Sequence, residues 1–340
     1  MTKRATIKDV AKKAEVSISV VSYVMNNTPG QSIPESTRAR ILTAANELGY
    51  SPSAAARGLR TKKAMAIGLV SCWEMTNSIF IEILNGVSKV LDQKGYNIVL
   101  CSPNNIKSQF YYVELFKQQQ LDGIIFISPY DIGEGFNEEA HVNAIKENKI
   151  PAVFINGYTA DEALNYIYMD YYNTAYMAVE YLVKLGHQNI GYLMVDDDEL
   201  TQLQASERLR GFNDANCHYN REKNDQFIFN MNDVNLIVDK IKLKQGPTAI
   251  VANKSRYGYL FLKKMLDEGI KVPDEISIIA ANTEMYAEYL YPALTTVRLP
   301  LNQMGEKGAQ LLLKNIDKKG KPEKLKLKNK ITERESCRKV

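Results

Sequence analysis

The sequence predicts two unlike parts: a small all-α domain at the N-terminus, then an α/β body of two doubly wound parallel-sheet lobes. Three observations predict it. The first 50 residues place apolar side chains at helical spacing between capping signals. From residue 64 onward, short runs rich in Ile and Val alternate with amphipathic stretches, in two successive series. The charge divides the same way. Residues 1–63 carry eleven Lys/Arg against four Asp/Glu, and the remainder carries thirty-two against thirty-five. A basic head therefore sits on a slightly acidic body, and a folded, patterned basic head suits a polyanion.

The head's elements follow in order. Thr6 precedes a helical pattern and has Asp9 three residues on, which predicts an N-cap with an acidic first turn. Val10, Ala11 and Ala14 give this first helix a small apolar face. Ser17 caps a second helix from about Ile18 to Met25. Val21 and Val24 face inward on it, while Ile18, Ser19, Ser22 and Tyr23 fall on the opposite side. An anchored back and a mixed front are what a recognition helix needs to reach base edges, so the pair reads as a helix-turn-helix. Ser32-Ile33-Pro34-Glu35 matches a capping box with Pro in the first turn. Ile41, Leu42, Ala45 and Leu48 continue the third helix, and Gly49 ends it. Pro52 then breaks the chain, and Ala54 to Arg60 make about two turns of helix, too short to be stable alone. This segment reads as a hinge that folds on DNA, with Leu59 as the wedge between base steps and Arg57 and Arg60 on phosphates.

In the body, Met65–Val70, Tyr96–Cys101, Gly123–Ser128 and Pro151–Ile155 read as buried strands. Helical stretches near Phe80–Lys94, Lys107–Gln119 and Asn137–Asn148 lie between them. Asn189–Met194, Thr248–Ala252 and Ile276–Ala280 form the second series, with helices at Tyr171–Leu185 and Ser255–Glu268. Ligands of such sheets bind beyond the carboxyl ends of the strands, which places a cleft between the lobes. Trp73 is expected near its mouth.

The sequence also excludes function classes. No apolar run approaches the roughly 18 residues that span a bilayer, and no signal peptide is read, so no membrane partner and a cytoplasmic location are expected. Cys72, Cys101, Cys217 and Cys337 are scattered, which argues against a zinc site or disulfide framework. His141, His187 and His218 lack metal-ligand spacing, and no nucleotide-binding glycine loop or nucleophile elbow is present. No catalytic residue, metal or cofactor is expected. His187, after Leu-Gly at a helix end, is read as structural.

The strings T-I-K-D-V-A, V-S-I-S-V-V-S-Y-V-M-N, E-L-G-Y-S-P and A-A-A-R-G-L-R resemble the lac repressor/galactose repressor family of bacterial regulators. The resemblance resumes in Arg208-Leu209-Arg210-Gly211-Phe212, Val272-Pro273-Asp274-Glu275-Ile276-Ser277 and Leu294-Thr295-Thr296-Val297, and it covers essentially the whole chain. It implies a helix-turn-helix domain at 1–51, a hinge at 52–63 and a periplasmic-binding-protein-like core at 64–340. The N-lobe is expected at about 64–160 and 293–317, and the C-lobe at about 161–292 and 318–340, with crossings near Asp161–Asn165, Leu290–Ala293 and Asp317–Lys321.

By position, the resemblance implies that Ile18, Ser19 and Tyr23 read bases, and that Thr6, Ser22 and Asn26 hold the DNA backbone beside Ser17. Ala56 and Leu59 are implied in the minor groove, flanked by Arg57 and Arg60. Tyr23 stands where some members carry Arg, and Glu15 replaces a frequent turn glycine. Asn77, Phe80, Ser128, Asn156, Arg208, Asn253, Lys254 and Asn282 match effector contacts. Asn156, Lys254 and Asn282 occupy positions where Asp is frequent, so an anionic effector, a neutral sugar or nucleoside-like one, and a vestigial or protein-controlled site all stay open. The implied protein is a homodimeric, effector-controlled repressor of a pseudo-palindromic duplex operator. A solute-binding receptor of the same core would lack the basic head, and an enzyme would need a catalytic constellation.

Overall fold

Buried Ile- and Val-rich runs form strands here because both faces of each sheet are covered by helices, so no alternation is needed. The computed structural model describes residues 5–25, 28, 30–50, 63–71, 76–101, 109–128, 137–157, 159, 161–195, 203–219, 227–282 and 286–340.

The head is three helices: α1 (Ile7–Lys13), α2 (Ile18–Met25) and α3 (Glu35–Glu47). Their core is Val10, Ala11, Ala14, Val21, Val24, Ile41, Ala44 and Ala45. Glu15, in the turn between α1 and α2, has φ 52°, the left-handed conformation expected there. Gly49 ends α3 with φ 60°. The capping box expected at Ser32 does not form. Pro34 is the N-cap, in an extended conformation (φ −56°, ψ 141°), and α3 starts at Glu35. Proline disfavours helical backbone in the residue before it, which keeps Ile33 and Ser32 outside the helix.

The N-lobe holds β1 (Ala66–Ser71), α4 (Ser78–Gln93), β2 (Asn97–Cys101), α5 (Tyr111–Lys117), β3 (Gly123–Ile127), α6 (Glu138–Glu147), β4 (Ala152–Ile155) and β5 (Asn165–Tyr168). The C-lobe holds α7 (Tyr171–Lys184), β6 (Ile190–Met194), α8 (Leu203–His218), β7 (Ile228–Asn230), α9 (Val234–Lys242), β8 (Ala249–Ala252), α10 (Ser255–Asp267), β9 (Ser277–Ala280) and β10 (Thr295–Arg298). The chain then returns through α11 (Leu301–Ile316), β11 (Lys324–Lys326) and β12 (Lys330–Thr332). The two sheets have orders β11-β5-β4-β3-β1-β2 and β12-β10-β9-β8-β6-β7. The pairings are parallel except β10 with β12.

The lobe boundaries differ from those expected. Asn165 begins β5, which pairs with β4, so the first crossing follows Tyr168 and not Asp161–Asn165. Strand β10 pairs with β9 in the C-lobe, which moves the second crossing from Leu290–Ala293 to the segment between Arg298 and Leu301. Strand β11 pairs with β5, so the third crossing lies between Lys326 and Lys330 and not at Asp317–Lys321. In each case an extra strand extends its own sheet before the chain leaves it. These strands are three or four residues long; β11 alternates Lys with Leu, and β10 begins with two threonines and ends in Arg, so they lack the long apolar run that marks the inner strands. Asn329 Nδ2 donates to the Asp170 carbonyl at 2.8 Å, tying the third crossing to the first.

Glycines set how closely the helices cross. A Cβ on Gly305 of α11 would lie 2.1 Å from the Ile83 carbonyl oxygen of α4, and one on Gly86 would lie 2.0 Å from that of Asn302. Gly211 plays the same part between α8 and α7, where a Cβ would meet the Tyr172 carbonyl oxygen at 2.1 Å.

Candidate DNA-reading face and effector cleft

In the head, Thr6 N–H and Oγ1 donate to Asp9 Oδ2 at 2.8 and 2.7 Å, closing the first turn of α1. Ser17 Oγ accepts from Val20 N–H at 3.3 Å, so α2 is capped as expected. With Val21 and Val24 buried against α1 and α3, the other side of α2 is turned outward. Ser17 and Ser19 are exposed, Ile18 is 45% exposed, and Ser22 and Tyr23 are half-buried. An isoleucine this exposed at the first residue of a helix contributes little to its own core. A side chain of this type can meet a thymine methyl, and a serine hydroxyl like the one beside it can donate or accept at a base edge. Asn26, Ala56, Arg57, Leu59 and Arg60 lie outside the described residues, as does Trp73.

The expected effector residues divide into those the fold brings together and those it does not. Ser128 follows β3, Asn156 follows β4, and Asn253 follows β8, all at carboxyl ends of strands. Asn156 has φ 66°, a left-handed position that asparagine tolerates better than most residues. Its Nδ2 donates to the Ser128 carbonyl at 2.9 Å, and its Oδ1 accepts from Tyr171 Oη at 3.3 Å. The Arg208 guanidinium lies over the Tyr171 ring, 4.5 Å from its centroid, and Nη1 donates to Asn253 Oδ1 at 3.5 Å. A single run of contacts, Ser128–Asn156–Tyr171–Arg208–Asn253, thus passes from the N-lobe strands to the C-lobe strands. Arg208 is 1% exposed. Ser128 Oγ and Asn253 Nδ2 are buried with no hydrogen-bond partner among the described residues.

The other expected residues have these positions in the fold. Asn77 Oδ1 accepts from the Ile79 and Phe80 amides, capping α4. Phe80 sits in the N-lobe core with Ile67, Ile83 and Ile125. The Asn282 carbonyl accepts from Ser255 Oγ. Lys254 precedes α10, half-buried, with Nζ 6.0 Å from the Tyr257 ring centroid. Tyr171 is the residue sequence reasoning missed. It reads as an ordinary apolar helix position, and only the lobe crossing turns its hydroxyl toward Asn156 and its face toward Arg208.

His187 and His141 are held in structural contacts. His187 bridges Thr248 Oγ1 at 3.0 Å and the Arg338 carbonyl at 3.2 Å, pinning the C-terminal segment to the C-lobe. His141 Nδ1 lies 2.9 Å from Tyr112 Oη among Phe110 and Phe126, and burial lowers its pKa to about 4. No group of three His, Cys, Asp or Glu is placed to hold a metal among the described residues. No described helix is long and apolar enough to cross a membrane.

Comparison with known proteins gives the same assignment for both parts. Residues 6–53 match the family described as bacterial regulatory proteins, lacI family, and residues 179–337 match a periplasmic binding protein-like domain. The HTH-type transcriptional repressor PurR of Vibrio parahaemolyticus is 30% identical over 321 residues, covering 93% of both chains. The protein of that name from Aliivibrio fischeri is 28% identical over 323 residues, again covering 93% of both. The structure of the lac repressor dimer bound to operator and the anti-inducer ONPF aligns with a TM-score of 0.74 over 99% of this chain and 100% of that one, at 20% identity. The transcription regulator CcpA of Lactococcus lactis aligns at 0.63 over 80% of this chain and 99% of its own, at 25% identity. With a relative this similar along nearly its full length, the chain belongs to the lacI family of bacterial regulatory proteins.

Proposed function

We propose that the protein is a homodimeric transcriptional repressor that reads a pseudo-palindromic operator and is controlled by a small polar effector held between its lobes. The observation that carries this reading is the outward face of α2, where Ile18 and Ser19 stand exposed on a helix anchored by Val21 and Val24. One such helix buries little surface, and pairing two half-sites about one turn apart supplies the missing affinity. Relatives that carry the name of repressor along 93% of their length support the regulatory sign.

For the effector, burial of an unpaired polar group costs about 1–3 kcal/mol. Ser128 Oγ and Asn253 Nδ2 are the groups a ligand would satisfy, one from each lobe. Arg208 between them favours a molecule rich in oxygen acceptors, such as a sugar, nucleoside or phosphosugar. The ligand closes the lobes about the three crossings, and the N-lobes move the chain segments that lead to the two heads. Selection from random duplexes followed by titration with these ligand classes tests the reading. A symmetric consensus whose affinity shifts with one class is expected. Absence of any sequence preference sinks the regulator, and a consensus that responds to none of the classes sinks the effector.

A further inference from the structure

The chain between α11 and β12 carries a charge pattern that neither the head nor the cleft explains. Residues 314–330 hold eight lysines and two acidic residues, in a body that is otherwise slightly acidic. Three of these lysines have ordinary reasons. Lys314, in the last turn of α11, suits the helix dipole. Lys324 and Lys326 line β11, an edge strand, where lysines discourage pairing with another chain, and they meet Glu162 and Asp170. Lys318 and Lys319 follow the C-cap of α11, where the dipole still favours positive charge, but Lys321 lies beyond it and none of the three lies on the edge strand. They follow the helix and precede the strand, in a turn where all three are exposed. Lys319 lies 3.7 Å from Asp317, while Lys318 and Lys321 have no carboxylate within ion-pair distance among the described residues.

The position of the turn is informative. Strand register aligns Ala66 of β1, Gly123 of β3, Ala152 of β4, Asn165 of β5 and Lys324 of β11 near one end of the sheet. The opposite end carries Ser128 and Asn156, the effector side. Lys63, the first described residue after the head's connection, pairs with Asp317 at 3.0 Å. The lysine turn therefore lies where the chain leaves the N-lobe for the DNA-binding head. The intervening residues 51–62 reach at most roughly 40 Å even if fully extended. A head docked on a duplex therefore holds this end of the N-lobe within roughly 40 Å of it, the side of the lobe from which a further phosphate contact can be made.

We propose that the turn containing Lys318, Lys319 and Lys321 forms a second, sequence-independent contact with the phosphate backbone of the bound duplex. This rests on the DNA-binding reading above. The contact adds to affinity through release of counterions and leaves base choice to α2.

The test uses the full-length chain, with Lys318, Lys319 and Lys321 all changed to Gln, on a duplex of about four helical turns carrying the selected operator. The slope of log affinity against log salt should become shallower by about 0.9 for each lysine that touches a phosphate. Affinity at low salt should fall about tenfold or more, while the selected base preference stays that of the wild type. The paired control changes Lys328 and Lys330 to Gln, beyond the far end of β11 where the chain crosses into β12 of the C-lobe, and should leave the slope unchanged. An unaltered slope in the triple variant, or an equal change in the control, would overturn the contact. A wild-type chain without sequence preference would overturn the DNA-binding reading instead.

Discussion

Arg208 shows how one side chain ties the C-lobe strands to Tyr171, whose hydroxyl makes the contact with Asn156 of the N-lobe. Its guanidinium is buried over Tyr171 and against Asn253, so a neutral replacement removes both the ring contact and the donor fork. Arg208→Gln should abolish the thermal shift on effector binding while operator affinity of the free protein changes less than threefold; an undiminished shift would remove Arg208 from the site. His141 supplies a pH dependence. Its pKa is lowered to about 4 by burial, below the ordinary value of 6.5 for an unfolded chain. Between these values the unfolded state binds the extra proton, so stability is full above about pH 6.5 and falls by up to about 3 kcal/mol as the pH drops toward 4. His141→Gln should flatten the melting temperature across that window, and an unchanged acid limb would assign the loss elsewhere.

The decisive elements are the paired helices. Helices α4 and α11 approach so closely at Gly86 and Gly305 that an added methyl would strike a carbonyl oxygen. Gly305→Ala should cost about 1–3 kcal/mol or more in chemical denaturation, since backbone cannot yield as a flexible side chain would. Gly320→Ala, where nothing lies within 4 Å of the added atom, is the matching control and should cost far less. The head behaves differently. Val21→Ala should loosen α2 by about 2 kcal/mol, measured as lost operator binding with an unchanged melting transition of the body.

For the whole molecule, the expected dimer needs a surface. Tyr286, Tyr289 and Tyr291 are 60%, 75% and 87% exposed along one C-lobe segment. Tyrosine is enriched in interfaces because it buries a large apolar body and keeps a polar tip. A second copy of this chain is the occupant a two-fold operator requires. Changing Tyr289 and Tyr291 to Asp should convert the dimer to monomer in sedimentation and weaken operator binding steeply. A dimer that persists would move the interface elsewhere.

Local chemistry was legible in the sequence. The caps at Thr6 and Ser17, the span of α2, the left-handed Glu15 and the inner strands are set by residues within a few positions of each other. The family was legible for the same reason, since its motifs are short strings. The lobe boundaries were not, because β5, β10 and β11 are short, and β10 and β11 carry charge, so they become strands only when a neighbouring edge offers hydrogen bonds. The cleft was half legible. Asn156 stands where a carboxylate is frequent, which pointed to ligand charge, but its amide donates to the Ser128 carbonyl, a bond an ionised Asp cannot make. Tyr171 gave no signal at all. The sequence by itself determined the head, the alternation of the body and the family, which depend on neighbours along the chain. Only the tertiary structure decided which polar groups meet across the lobes, because those contacts join residues far apart in the chain that periodicity does not connect.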